Sequence, residues 1–183
     1  MIPLYLDPAQ ARIALIGRSA LAVRRLLWLR NGGAAPEVWS DEPSVDLAAM
    51  AGRIERRLPN AAELATYHAV WIADLPIEKA EVLANAARSA HVLVNVEDVP
   101  PLCDFHTPAV VRRGKLTLSV GTGGSSPAVA RAAREQLEEA FPEAWADALD
   151  EIAESRVRLR QQGATFDALV ADARARLAQH GLA

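Results

Sequence analysis

Three short apolar runs constrain this chain most: residues 12–16 (RIALI), 68–73 (HAVWIA) and 92–96 (VLVNV). Each is too short for a stable helix and nearly continuous in its apolar character, the pattern of strands covered on both faces. Between them, residues 19–31 and 77–90 carry helical spacing, with Leu21, Leu26, Leu27 and Trp28 read as the apolar side of the first. Asn31-Gly32-Gly33 stops that helix, since glycine tolerates the left-handed cap. Residues 37–40 read as a further strand, and residues 56–58 as a weaker one. Strands joined by helical crossovers pair in parallel, so the expected fold is α/β with a Rossmann-like parallel sheet. After one more strand at 115–120, helices are expected over 128–141, 143–162 and 165–179. They cannot extend a sheet, so they pack either on one another as a cap or on another chain as a dimerising arm.

The remaining bounds exclude several classes. Half of the 183 residues are hydrophobic, which is globular rather than disordered composition. A net charge of −3 gives no footprint for nucleic acid. The single cysteine, Cys103, rules out an intramolecular disulfide and fits a reducing compartment. The opening MIPLYLDPAQ lacks the basic and long apolar regions of a signal peptide. No run reaches the roughly 18–20 apolar residues needed to span a bilayer. A soluble cytoplasmic protein without nucleic-acid or membrane partners is the expectation.

Three stretches can carry chemistry. Gly17 follows the first strand and opens a helix, as in the G-x-G-x-x-G/A dinucleotide fingerprint. The second glycine position is Ser19, and Ala22 fills the third. A Cβ at Ser19 narrows the approach of a pyrophosphate, while its hydroxyl offers a hydrogen bond and the helix N-terminus offers N–H groups. Arg18 either adds charge toward a phosphate or is simply solvated. Asp41, at the end of the second strand, stands near where a ribose-binding acid belongs. A Rossmann-shaped turn that holds no nucleotide is the alternative.

The second stretch, residues 94–105 (VNVEDVPPLCDF), places Asn95, Glu97 and Asp98 at a strand's carboxyl end before a Pro-Pro loop. Asp98 or Asp104 could take a proton or bind a metal, or both could be solvated loop carboxylates. Cys103 and His106 add possible ligands, but their spacing matches no zinc site. The third stretch, residues 119–127 (SVGTGGSSP), is a glycine-rich loop with hydroxyls at Thr122, Ser125 and Ser126. It lacks the lysine of a P-loop, which argues against ATP chemistry. Its plainer reading is a turn with Ser126 as helix cap ahead of Pro127.

Taken in order, these segments resemble the precorrin-2 dehydrogenase / sirohydrochlorin ferrochelatase family, the N-terminal module of siroheme synthases. The resemblance runs from IPLYLD at residues 2–7 through LIGRSALAVRR. It is strongest over residues 94–131, where N-V-x-D, L-C-D-F, P-A-x-V-R-R-G and G-G-x-S-P-x-x-A-R stand in order and spacing. It implies a Rossmann-like NAD-binding domain (1–112), a dimerisation segment (113–142) and a helical tail (143–183), working as a homodimer. The implied activity is NAD-dependent oxidation of precorrin-2 to sirohydrochlorin, with Fe2+ insertion to siroheme; methylation is not expected. Asp98, closing N-V-x-D, is implied as the acid/base and as a transient Fe2+ contact. Thr122, with Gly123, Gly124 and Ser125, is implied on the tetrapyrrole side. Gly17, Ser19, Ala20 and Leu21 map to the nucleotide turn, and Asp41 and Glu42 to the ribose side. Arg18 and Ser19 replace family glycines, and IADLP at residues 72–76 stands for the family's A-A-T-D-D. The alternative is therefore a ferrochelatase or tetrapyrrole-binding protein that has lost the NAD-dependent step.

Overall fold

Side chains alternate between two apolar layers along the central strands, which is why these segments stack as a buried parallel sheet. In β1 (Ile13–Gly17), Ala14 and Ile16 join one core cluster while Ile13 and Leu15 join the other. In β3 (Ala69–Ala73), Val70 and Ile72 face the first and Ala69, Trp71 and Ala73 the second. With β2 (Glu37–Trp39) and β4 (Leu93–Val96) they form a four-stranded sheet of order β2-β1-β3-β4, parallel throughout. On one face, α4 (Ile77–Ser89) buries Ala80, Leu83, Ala84 and Ala87, with Leu64 of α3 (Ala61–Leu64) in the same cluster. On the other, α1 (Ala20–Asn31) buries Ala22, Leu26 and Leu29, and α2 (Val45–Ala51) adds Leu47. The α/β, Rossmann-like expectation is borne out. The structure is a computed structural model that describes residues 1–182.

Some details differ from expectation. Leu27 is exposed, and the fourth member of the buried face of α1 is Arg25. Residues 56–58 form no strand; the nearest pairing among the described residues is a single parallel bridge between Trp39 and Glu55. The neighbouring residues go to the helices α2 and α3, whose caps, Ser44 and Asn60, accept hydrogen bonds from the backbone N–H of Leu47 and Glu63.

The chain runs from β1 to β2 on one side and then to β3 on the other. This places a topological switch point at the carboxyl ends of β1 and β3, where open α/β sheets hold ligands.

The chain divides into two compact units, Met1–His106 and a second that begins at Thr107. The second opens with β5 (Ala109–Arg113), which pairs with β6 (Leu116–Val120) in a separate antiparallel hairpin. Three helices follow: α5 (Pro127–Ala140), α6 (Ala144–Gln161) and α7 (Phe166–Gln179). Arg113 ties the hairpin to the end of α5 by donating to the carbonyls of Phe141 at 2.6 Å and Glu138 at 3.1 Å. In the α6–α7 pair Ala148, Ser155 and Leu169 are buried, and Arg176 donates to the Ser155 hydroxyl at 3.0 Å.

Candidate functional site

The Gly17 turn sits at the switch point with its geometry set by packing. Gly17 is buried, and an added Cβ would lie 2.6 Å from the Ala22 Cβ and 2.7 Å from the Ala73 carbonyl oxygen. Ala22 thus fills the close-packing role read from the fingerprint. Ser19 is the N-cap residue of α1, but its side chain makes no capping hydrogen bond. The cap comes instead from Asp74, the residue after β3. One oxygen of its carboxylate accepts from the backbone N–H of Ser19 at 3.2 Å, Leu21 at 2.8 Å and Ala22 at 3.1 Å. Asp74 holds a left-handed backbone, φ 57°, a conformation that aspartate tolerates better than most side chains. Sequence reasoning placed Asp74 in a departing segment without giving it a role. The usable signal was the lack of any acidic residue in the first turn of α1.

The ribose-side acid is also engaged. Arg18 grips Asp41 with two hydrogen bonds, 2.9 and 2.7 Å, and Lys79 adds a third at 2.7 Å. The bonds from Arg18 hold the Asp41 carboxyl well below the usual carboxylate range; partial burial opposes this and Lys79 reinforces it. Glu42 lies 3.4 Å from Arg18 and is mostly exposed. Gly17, Ser19, Ala20, Leu21, Asp41 and Glu42 therefore gather around one turn, with Arg18 linking its two halves.

At the end of β4 the residues of N-V-E-D divide their work. Asn95 is buried and donates to the Phe105 carbonyl at 2.8 Å, and Glu97 makes a bidentate ion pair with Arg25, the shortest distance 2.6 Å. Both partners are about nine-tenths buried (side-chain exposure 10% and 11%), and Arg24 reaches the same carboxylate at 3.2 Å. Asp104 pairs backbone to backbone with Val94, accepts from the Val94 N–H at 3.0 Å, and takes a 2.7 Å bond from Arg88. The Cys103 sulfur accepts from the Val96 N–H at 3.3 Å and lies 3.2 Å from the Val96 carbonyl; burial pushes its pKa up. Asp104 and Cys103 are thus loop fasteners rather than free groups. Asp98 differs. It is exposed, has φ 62°, and makes no side-chain hydrogen bond or ion pair among the described residues. It stands two residues past the Ile72–Val96 pair on β4, as Asp74 does on β3. No group of three or more metal-ligating side chains occurs among the described residues. Beside these acids a small cavity of about 90 Å³ is lined by Ile72, Asp74, Ile77, Val96, Glu97 and Val99.

The glycine-rich loop lies in the second unit. Thr122 spends its hydroxyl on Ser126, accepting from its N–H at 3.3 Å and bonding its carbonyl at 3.2 Å. Gly123 and Gly124 turn the chain with φ 66° and 79°. The Ser126 hydroxyl accepts from the Val129 N–H, so the capping reading of that serine holds. Ser125 is exposed.

At the amino end of the sheet a second hollow, about 330 Å³, is lined by Arg12, Glu37, Trp39, Arg57, Glu63 and Tyr67. Tyr67 donates to Glu37 at 2.7 Å and accepts from Trp39 Nε1 at 2.9 Å; burial, then Glu37, pushes its pKa up to about 12. Arg12 and Arg57 lie over the Tyr67 and Trp39 rings, so the groups at this end, away from the switch point, are engaged with one another.

A parallel sheet with a glycine turn, a helix N-terminus and strand-ending acids at its switch point defines a Rossmann-type dinucleotide-binding domain. The chain belongs to the family described as "Putative NAD(P)-binding", whose model matches residues 4–109. Siroheme synthases are similar over most of it. That of Thiobacillus denitrificans is 31% identical over 79% of this chain and 31% of its own length. That of Pseudomonas putida is 34% identical over 80% and 32%, and that of Methylococcus capsulatus 29% over 87% and 35%. The chain spans about a third of the length of these relatives. Among solved structures, the precorrin-2 dehydrogenase SirC shares the fold with a TM-score of 0.71, at 19% identity over 99% of both chains. These relatives bear out the resemblance read from the motifs. Among the described residues, no helix is long and apolar enough to cross a membrane.

Proposed function

We propose that this chain oxidises precorrin-2 to sirohydrochlorin with NAD+, with Asp98 as the proton acceptor. The observation that carries this reading is the contrast at the end of β4. Asn95, Cys103 and Asp104 are occupied in holding the loop and Glu97 in pairing with Arg25 of α1, while Asp98 is presented at the carboxyl edge of the sheet with no side-chain partner among the described residues. A carboxylate placed so can take the proton released as hydride leaves the substrate, and later relay pyrrole protons displaced by Fe2+. NAD+ would supply the hydride acceptor. Its place fits in outline: Gly17 admits the close turn, Asp41 stands on the ribose side in the grip of Arg18 and Lys79, and the N–H groups of Leu21 and Ala22 would face the pyrophosphate once the Asp74 carboxylate gives them up. The hydroxyl loop at Thr122, Gly123, Gly124 and Ser125 belongs to the proposal as a tetrapyrrole contact, and a homodimer as the working state. A cytoplasmic location goes with this reading.

Anaerobic incubation with precorrin-2 and NAD+ is expected to produce NADH. Replacing Asp98→Asn is expected to lower that rate by about 100-fold or more, within the span of general-base effects, without lowering the melting temperature. Equal turnover by the variant would remove Asp98 from the chemistry. A second reading, Fe2+ insertion without the NAD-linked step, is favoured by the engagement of Asp74 and of Asp41. It is distinguished by siroheme formation from sirohydrochlorin with no NADH from precorrin-2.

A further inference from the structure

The N-terminus of α1 is occupied by a carboxylate that does not belong to that helix. A cap normally comes from the residue just before the first turn; here that residue, Ser19, leaves its hydroxyl uncommitted. Asp74 reaches across the switch point from the end of β3 and gathers three N–H donors on one oxygen. These are the donors that a Rossmann turn directs at a pyrophosphate. The one cation of the turn, Arg18, is turned away to Asp41 and Glu42. Two anions cannot share one set of donors. A dinucleotide must displace the Asp74 carboxylate and also overcome its charge at short range. The left-handed backbone at Asp74 makes this arrangement a held one, since a β-carbon at φ 57° carries a conformational cost that the three hydrogen bonds offset.

We infer that Asp74 is an internal plug of the pyrophosphate position, a carboxylate that stands in for phosphate and sets how strongly this chain takes a dinucleotide. The inference rests on the proposed NAD+ site. It makes residue 74 the determinant of affinity, ahead of the substituted glycine position at Ser19.

The test is calorimetric titration of the full chain with NAD+ and, separately, with inorganic pyrophosphate. Wild type is compared with Asp74→Gly, which suits the left-handed backbone, and with Asp74→Asn, which keeps an accepting oxygen without the charge. The expected result is an NAD+ dissociation constant at least about tenfold smaller for the glycine variant, with asparagine between and the same ranking for pyrophosphate. Equal NAD+ binding by wild type and variants overturns the plug while leaving the NAD+ site intact. If no form binds NAD+, the cofactor reading fails and pyrophosphate decides the plug. Tighter pyrophosphate binding by the variants sustains it, and no gain overturns it. Should the glycine variant not fold, the asparagine variant carries the same comparison.

Discussion

A methyl group added at Gly17 would sit within 2.7 Å of both the Ala22 Cβ and the Ala73 carbonyl oxygen. Neither is the end of a flexible side chain, so Gly17→Ala must push strand and helix apart. The expected cost is about 1–3 kcal/mol, the range for overpacked cores, read as a lower midpoint in urea unfolding with an unchanged slope. This demand exists with or without a ligand, so Gly17 speaks for the fold before it speaks for a nucleotide. Asp74 and Asp98 extend the lesson. Both end neighbouring strands, both are left-handed, and the two acids do opposite things: one is spent on a helix end and the other is presented. The position of Asp98 was legible from the N-V-x-D match and the strand before it. The task of Asp74 was not, because its three donors lie more than fifty positions away in sequence.

Between elements, the ion pair from Arg25 on α1 to Glu97 at the end of β4 is the firmest polar link found near the site. Removing one partner of such a buried pair leaves the other charged and unmatched, a loss of about 3–5 kcal/mol. Glu97→Ala is therefore expected to destabilise strongly in chemical denaturation, and adding Arg25→Met to recover a substantial part. Strictly additive effects would show that the pair is not coupled. The strands and long helices were readable because their periodicities are clear. Three elements were not. The short helix α2 hides behind Pro43-Ser44, and α3 is a single turn fixed by its capping box. The strand β5 lies in a stretch, AVVRR, whose polar end disguises a strand that pairs with β6. The inward arginine of α1 was likewise missed, since its partner lies on a different element and periodicity alone cannot foresee it.

At the scale of the molecule, the two units differ in how much core they own. The first buries two apolar layers around its sheet, whereas among the described residues the second buries only Val111, Ala148 and Leu169 of its hydrophobic side chains. Its helix α5 has no buried residue at all, and Val129, Val157 and Phe166 are exposed. A segment with so small a core is stabilised most simply by association. Sedimentation equilibrium is expected to give twice the 19.7 kDa chain mass, and a monomer at all concentrations with undiminished thermal stability would contradict it. The loop fastening at the end of β4 bears on kinship as well. Asn95, Cys103 and Asp104 act as hardware that holds one outward carboxylate in place. A descendant that abandoned the chemistry proposed for position 98 would still need that hardware to fold, and its ancestry would stay readable long after its trade had changed.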